Sequence, residues 1–242
     1  MDTRYDRNIR IKEIGAEGQN KLLSSSVLVI GAGGLGSPVI YYLAAAGTGT
    51  IAIADGDEVE VINLNRQILH FESDLGRLKT DSAADKVKKL NSKVKVICHP
   101  QMINAQNAAD IISQYDFIID AVDNFAVKYL INDTCVKLKK PYCHGGALAW
   151  GGQLMTYTPG QACLRCFMSN VPAGDDAHTS INDGILGAVA GNIGTLQAME
   201  AVKYITNAGT LNTGRMLFFD GLKMQYRVLN ITKKQGCTAC GG

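Results

Sequence analysis

Residues 27–38 read VLVIGAGGLGSP. The opening apolar run, with Val27, Val29 and Ile30 β-branched, is the pattern of a buried strand, and the glycines after it stop that strand. Gly31, Gly33 and Gly36 stand at G-x-G-x-x-G spacing, with Gly34 between them. Such a turn lets backbone N–H groups and a helix N-terminus face a phosphate. SPVIYYLAAAG (37–47) reads as the helix, and TIAIAD (50–55) as a second strand ending in Asp55. A carboxylate at that place hydrogen-bonds a nucleotide ribose. The βαβ unit so formed implies an α/β fold with a Rossmann-like, doubly wound sheet.

Outward from this unit, VKVICHP (94–100), DFIIDAVDN (116–124) and KPYCHGGA (140–147) read as further strands. Helical segments near 80–91 and 104–114 are long enough to be crossovers between parallel neighbours. GGQLMTYTP (151–159) and RMLFFDG (215–221) alternate as antiparallel strands do. The expectation is a mostly parallel sheet extended by antiparallel strands. With no Pro- or Ser-rich linker and no repeat, residues 1–242 read as one domain. GILGAVAGNIGTLQAMEAVKYI (184–205) reads as a helix with Gly184, Gly187, Gly191 and Gly194 along one side. A glycine inside a helix costs about 1 kcal/mol against alanine, so a closely approaching neighbour is expected there.

Composition narrows the function classes. The 242 residues are 46% hydrophobic and 19% charged, enough apolar material for a sizeable core. A formal charge of +2 gives no broad basic face for nucleic acid. The densest basic stretch, KVKKLNSKVKV (86–96), reads as a solvated helix end. The uncharged run from Leu22 to Ala54 is broken by glycines and Pro38, so it reads as a buried βαβ unit and not as a membrane span. The charged N-terminus lacks the apolar core of a signal peptide, and seven cysteines are an odd number. Both point to a reducing, cytoplasmic setting.

A glycine loop alone fits NAD as well as ATP. Asn63, Asn65, Arg66 and Gln67 follow the second strand, and Lys79 comes from the next helix start. Dinucleotide binding does not require these cations, whereas the β- and γ-phosphates of ATP do. The fourth strand ends near Asp120, Asp123 and Asn124, where a carboxylate is placed to hold Mg²⁺ against the phosphates. Together these residues favour ATP over an NAD-dependent oxidoreductase. Cys163-x-x-Cys166 and Cys237-x-x-Cys240 form a second constellation, two C-x-x-C pairs suited to one structural Zn²⁺. Cys98, Cys135 and Cys143 read as buried apolar residues; Cys143, beside His144, is the one to examine for reactivity.

GAGGLGSP, DGDEVEVINLNRQIL, DAVDN, GGQLMTYTPG-x-x-CLRC, GTLQAMEAVK and GC-x-x-C, in this order, resemble the ThiF/MoeB (HesA/MoeB/ThiF) family of ubiquitin-activating-type adenylyltransferases. The resemblance runs from RYDRNI at 4–9 to the C-terminal GCTACGG, and GGQLMTYTP and CGG lean toward the thiamine branch over the molybdopterin branch. It implies that Gly34 approaches the nucleotide and that Asp55 takes the ribose. Asn63, Arg66 and Lys79 would hold phosphates beside Gln67, and Asp123 the metal, with Asn124 adjacent. Arg7 would enter a partner subunit's site, which makes the protein a homodimer. The implied reaction is adenylation of the C-terminal carboxylate of a ubiquitin-like sulfur carrier ending in Gly-Gly, with pyrophosphate released. The alternative is a non-catalytic nucleotide-binding subunit that docks the carrier. Ser180 stands where ThiF-like proteins carry a cysteine that can bond covalently to the carrier, and no sulfurtransferase segment is expected after Gly242. The expected sulfur source is therefore a separate sulfurtransferase.

Overall fold

A computed structural model describes residues 3–169 and 183–241. Ser180 and Gly242 lie outside the described residues. The strands are β1 (Ser26–Ile30), β2 (Thr50–Ala54), β3 (Lys95–His99), β4 (Phe117–Asp120), β5 (Tyr142–Leu148), β6 (Gly151–Tyr157), β7 (Arg215–Asp220) and β8 (Gln225–Asn230). They form one sheet in the order β3-β2-β1-β4-β5-β6-β7-β8. The first five strands in that order pair in parallel, and β6, β7 and β8 extend the sheet antiparallel. The helices are α1 (Asp6–Ile9), α2 (Gly15–Ser24), α3 (Gly36–Ala46), α4 (Lys79–Leu90), α5 (Ala108–Ile112), α6 (Phe125–Lys137), α7 (Leu164–Phe167) and α8 (Gly187–Thr206).

The apolar run of β1 is explained by cover on both faces. Val27 and Val29 join the core with α3, α4 and α8, while Leu28 and Ile30 join the core with α5, α6 and α7. Val27, Leu28 and Val29 are fully buried, and each such side chain contributes about 1.5–3 kcal/mol of apolar transfer. The chain leaves β1 through α3 to β2 on one side and returns to β4 on the other. That reversal opens a crevice at the carboxyl ends of β1 and β4, where an α/β sheet binds its ligand.

The late helix α8 begins at Gly187, and Gly184 lies before it with φ +73°. The close neighbour expected from its glycines is the start of α3. A Cβ on Gly194 would overlap the Leu35 carbonyl and come within 2.6 Å of Pro38 Cγ. Gly191, by contrast, faces open space. The basic stretch after residue 86 is only partly solvated. Lys88 and Lys89 are exposed, but Lys86 is buried against Asp74 and Ser82. Five elements were not expected from sequence: the short helices α1 and α7, the longer α2 and α6, and the outer strand β8. The segment near 104–114 yields only the short α5.

Candidate active site

The glycine loop is built around a backbone that only glycine fits. Gly31 has φ +96°, and a Cβ there would sit 2.7 Å from the Ala121 carbonyl. Beside it, Ala32 is held at both ends of its backbone. Asp55 Oδ2 accepts its N–H at 2.8 Å, and His70 Nε2 donates to its carbonyl at 2.9 Å. His70 is held in turn by Ser82 Oγ at Nδ1, at 2.8 Å, and Ser82 Oγ accepts from Lys86 Nζ at 3.0 Å. Burial, with Lys79 and Lys86 nearby, lowers the His70 pKa, which keeps the imidazole neutral for this arrangement.

Above the loop lies a cavity of about 640 Å³. Gly31, Gly33, Gly34 and Asp55 line one wall, with Arg66, Gln67 and Lys79. Asp123 and Asn124 line it at the end of β4, and Asn124 also caps α6 by accepting the Val127 N–H at 3.1 Å. Arg66 Nη1 donates to the Ile62 carbonyl and to Asn65 Oδ1 at 2.8 and 3.0 Å. Lys79 is buried except for its access to the cavity and pairs with Asp57 at 2.8 Å. Gln67 keeps a buried Oε1 without a partner, an orphan that a bound nucleotide can satisfy.

The other expected residues stand outside the cavity wall. Asn63 Oδ1 accepts the Glu60 N–H at 3.1 Å and so shapes the turn that carries Arg66. Asn65 orients Arg66, and Gly36 starts α3 against the Gly31 carbonyl. Arg7 is exposed on α1, away from this cavity. Of the acidic residues expected near β4, Asp120 is not available to a metal. It is fully buried, accepts from Lys128 Nζ at 3.2 Å and from His144 Nδ1 at 2.7 Å. Burial opposes its ionisation, but Lys128 and His144 hold the carboxyl below the ordinary range. Asp123, by contrast, is exposed and makes no hydrogen bond or ion pair among the described residues. It is a free hard-oxygen donor of the type Mg²⁺ takes with phosphates.

The cavity continues past β4 over the antiparallel part of the sheet. Gly146, Gly152, Gln153, Phe218 and Arg227 line this second wall. Sequence reading missed Asp57, Lys128 and Gln153; only His144 had been noticed, as the neighbour of Cys143. Cys143 itself is buried, and burial and then Glu200 push its thiol well above the usual range, so it is not a poised nucleophile.

The four cysteines of the two C-x-x-C pairs do come together, with all sulfurs within 4.8 Å of one another. Cys163 Sγ lies 3.7 Å from Cys237 Sγ, and Cys166 Sγ 3.4 Å from Cys240 Sγ. Metal–sulfur bonds of about 2.3 Å in a tetrahedron put sulfurs about 3.8 Å apart, so the set fits Zn²⁺. Burial opposes it, but N–H groups of Cys240 and Ala239 bring the Cys237 thiol down to about 7. Four protein sulfurs leave no open position, and the cluster ties the C-terminal segment to α7, away from the cavity lining.

A glycine loop, a carboxylate ending β2 and two cations around one crevice define a Rossmann-type nucleotide-binding protein. The chain belongs to the ThiF family, whose model matches residues 5–239. It is 47% identical over 239 residues to the adenylyltransferase and sulfurtransferase MOCS3 of Culex quinquefasciatus, covering 98% of this chain and 55% of the relative. It is 45% identical over 243 residues to MOCS3-2 of Zea mays, covering 100% of this chain and 50% of that one. The chain thus spans about half the length of these curated relatives. Among solved structures it resembles E. coli MccB crystallised with AMPCPP and MccA. The TM-score is 0.87 at 26% identity, covering 99% of this chain and 74% of that one. Among the described residues, no helix is long and apolar enough to cross a membrane.

Proposed function

We propose that this chain is an adenylation domain that activates the C-terminal glycine carboxylate of a ubiquitin-like sulfur carrier with ATP. The observation that carries this reading is one cavity that joins the wall of the glycine loop, Arg66 and Lys79 to the wall of Gly146, Gly152 and Gln153; we read the first as phosphate-facing and the second as acyl-facing. In the reaction a carboxylate oxygen attacks the α-phosphorus, the α–β phosphoanhydride bond breaks, and pyrophosphate leaves with that electron pair. A carboxylate is already ionised at neutral pH, so no side-chain base is needed. This chain's residues align and neutralise charge. Asp55 holds the ribose and Gln67 fills its orphan with the nucleotide. Arg66 and Lys79 lie against the phosphates, with Asn63 and Asn65 shaping the loop. Asp123, with Asn124 beside it, holds Mg²⁺, which neutralises phosphate charge when bound.

Arg7, exposed and outside its own chain's cavity, completes the site of a second copy, so the working unit is a homodimer. Zn²⁺ in the four-cysteine cluster is structural. The remaining cysteines, 98, 135 and 143, all have thiols pushed up by burial, so none of them is poised to relay sulfur, and a sulfurtransferase outside residues 1–242 supplies it. The setting is cytoplasmic. ATP–pyrophosphate exchange with Mg²⁺, run with a thiamine-type and a molybdopterin-type carrier, tests the reading and separates the pathways. Exchange with one carrier only supports it and names the branch; NADH binding in the cavity without any exchange would overturn it.

A further inference from the structure

The buried cluster under the acyl-facing wall has a direction built into its hydrogen bonds. Asp120 sits between Lys128 and His144, and all three side chains are buried. Lys128 Nζ also donates to the Gly145 carbonyl at 2.6 Å, and Gln197 Nε2 donates to the Asp120 carbonyl at 2.7 Å. The carboxylate of Asp120 only accepts, so His144 Nδ1 carries the proton of their 2.7 Å bond. Lys128 already balances the Asp120 charge, and the buried imidazole stays neutral. His144 Nε2 is then an acceptor. Gln153 lies 3.2 Å from it and donates through Nε2. The carboxamide is thereby fixed, with Oε1 as its free end.

Gln153 is half-buried and lines the cavity wall. Its Oε1 makes no hydrogen bond among the described residues and is not one of the sealed, unpartnered atoms. Across the sheet, Gln153 pairs with Gly146 on β5, whose missing side chain leaves the room it occupies: a Cβ there would be 3.0 Å from Gln153 Cγ. Gly151 and Gly152 line the same wall. A wall short of side chains, with one oriented acceptor, suits a peptide backbone N–H in extended conformation.

We infer that Gln153 Oε1 accepts the N–H of the terminal peptide bond of the incoming Gly-Gly tail, and that Asp120 and His144 are positioning residues that fix its orientation. This deepens the proposed adenylation and rests on it. That N–H and the carboxylate to be activated belong to the same glycine, separated by one Cα, so the contact helps to hold the tail in the site.

The test uses ATP–pyrophosphate exchange with the carrier that wild type prefers, and a semisynthetic version whose last peptide bond is an ester, ending in glycolate. The ester keeps the carboxylate and removes the N–H. For wild type the ester raises the carrier KM about 3- to 10-fold, the range of one lost hydrogen bond. In Gln153→Ala the carrier KM is already raised by that factor, kcat and the ATP Kd hold, and the ester adds less than about 2-fold. Asp120→Asn, confirmed folded by circular dichroism, offers His144 Nδ1 a donor and moves the proton to Nε2. Nitrogen-15 imidazole shifts then report the exchanged tautomer, and the carrier KM rises without a change in ATP Kd. An equal ester penalty in wild type and Gln153→Ala, or an ATP Kd that moves with the carrier KM, overturns the inference alone. A wild type inert with both carrier types overturns the adenylation reading and this inference with it.

Discussion

Lys86→Met probes how the glycine loop is held from beneath. Lys86 Nζ bonds Asp74 and Ser82, Ser82 bonds His70, and His70 bonds the Ala32 carbonyl in the loop. Burial works against Asp74's charge, yet Lys86 and the Phe71 N–H lower its pKa from 3.8 to about 2. At about 1.4 kcal/mol per unit, that displacement is worth about 2.5 kcal/mol of stability. Because the folded-state pKa is depressed, this contribution is complete above the unfolded value near 3.8 and is lost as pH falls toward 2. Methionine preserves the apolar stem but leaves Asp74 with Arg77 and the Phe71 N–H alone. The expected loss is about 2–3 kcal/mol at pH 7, or roughly 4–12 °C in Tm for a chain of this size. Urea unfolding of both proteins from pH 7 to pH 2.5 measures it. The gap between them should narrow below pH 4, and ATP should bind several-fold more weakly at pH 7. A gap below about 0.5 kcal/mol, or one equally large at both ends of the pH range, would refute the reasoning.

Three further outcomes follow from the site. Asp123→Ala should abolish pyrophosphate exchange while ATP binding survives in part, as read by calorimetry; wild-type turnover in that variant removes Asp123 from the metal role. The purified chain should hold one zinc per polypeptide by elemental analysis, and Cys240→Ser should lose it and melt earlier. Retention of a full equivalent would show that the cluster does not close on the metal. Cys143 should resist iodoacetamide in the native protein at pH 8 and react only on unfolding, since burial and Glu200 raise its thiol. Rapid native alkylation, located by peptide mapping, would contradict this.

Local pattern accounts for what could be read in advance. The run at 27–38 carries a strand, a loop and a helix start within one stretch, and each is confirmed by local geometry. The cysteine pairs announce their own cluster by spacing. α6 escaped notice because Phe125–Lys137 has little amphipathic contrast: Tyr129, Ile131, Asn132 and Cys135 are buried together with Lys128. β8 is exposed along its length and lacks an alternating pattern against a core. Asp120 was misjudged for a different reason. Sequence places it at a strand end, but only the fold brings Lys128 and His144 onto its carboxylate. The partner of a buried charge is a tertiary fact. The same holds for Lys86, read as solvated from its basic neighbours and buried on Asp74 in the fold.

The most direct test of the central claim is transfer of label from α-³²P-ATP to the carrier in a single turnover, quenched in acid. Adenylation of the terminal carboxylate predicts labelled carrier from wild type with Mg²⁺. It also predicts none from Asp123→Ala and none when the carrier's C-terminus is amidated. Label that appears on the amidated carrier, or pyrophosphate release with no label on the carrier at all, would contradict the account.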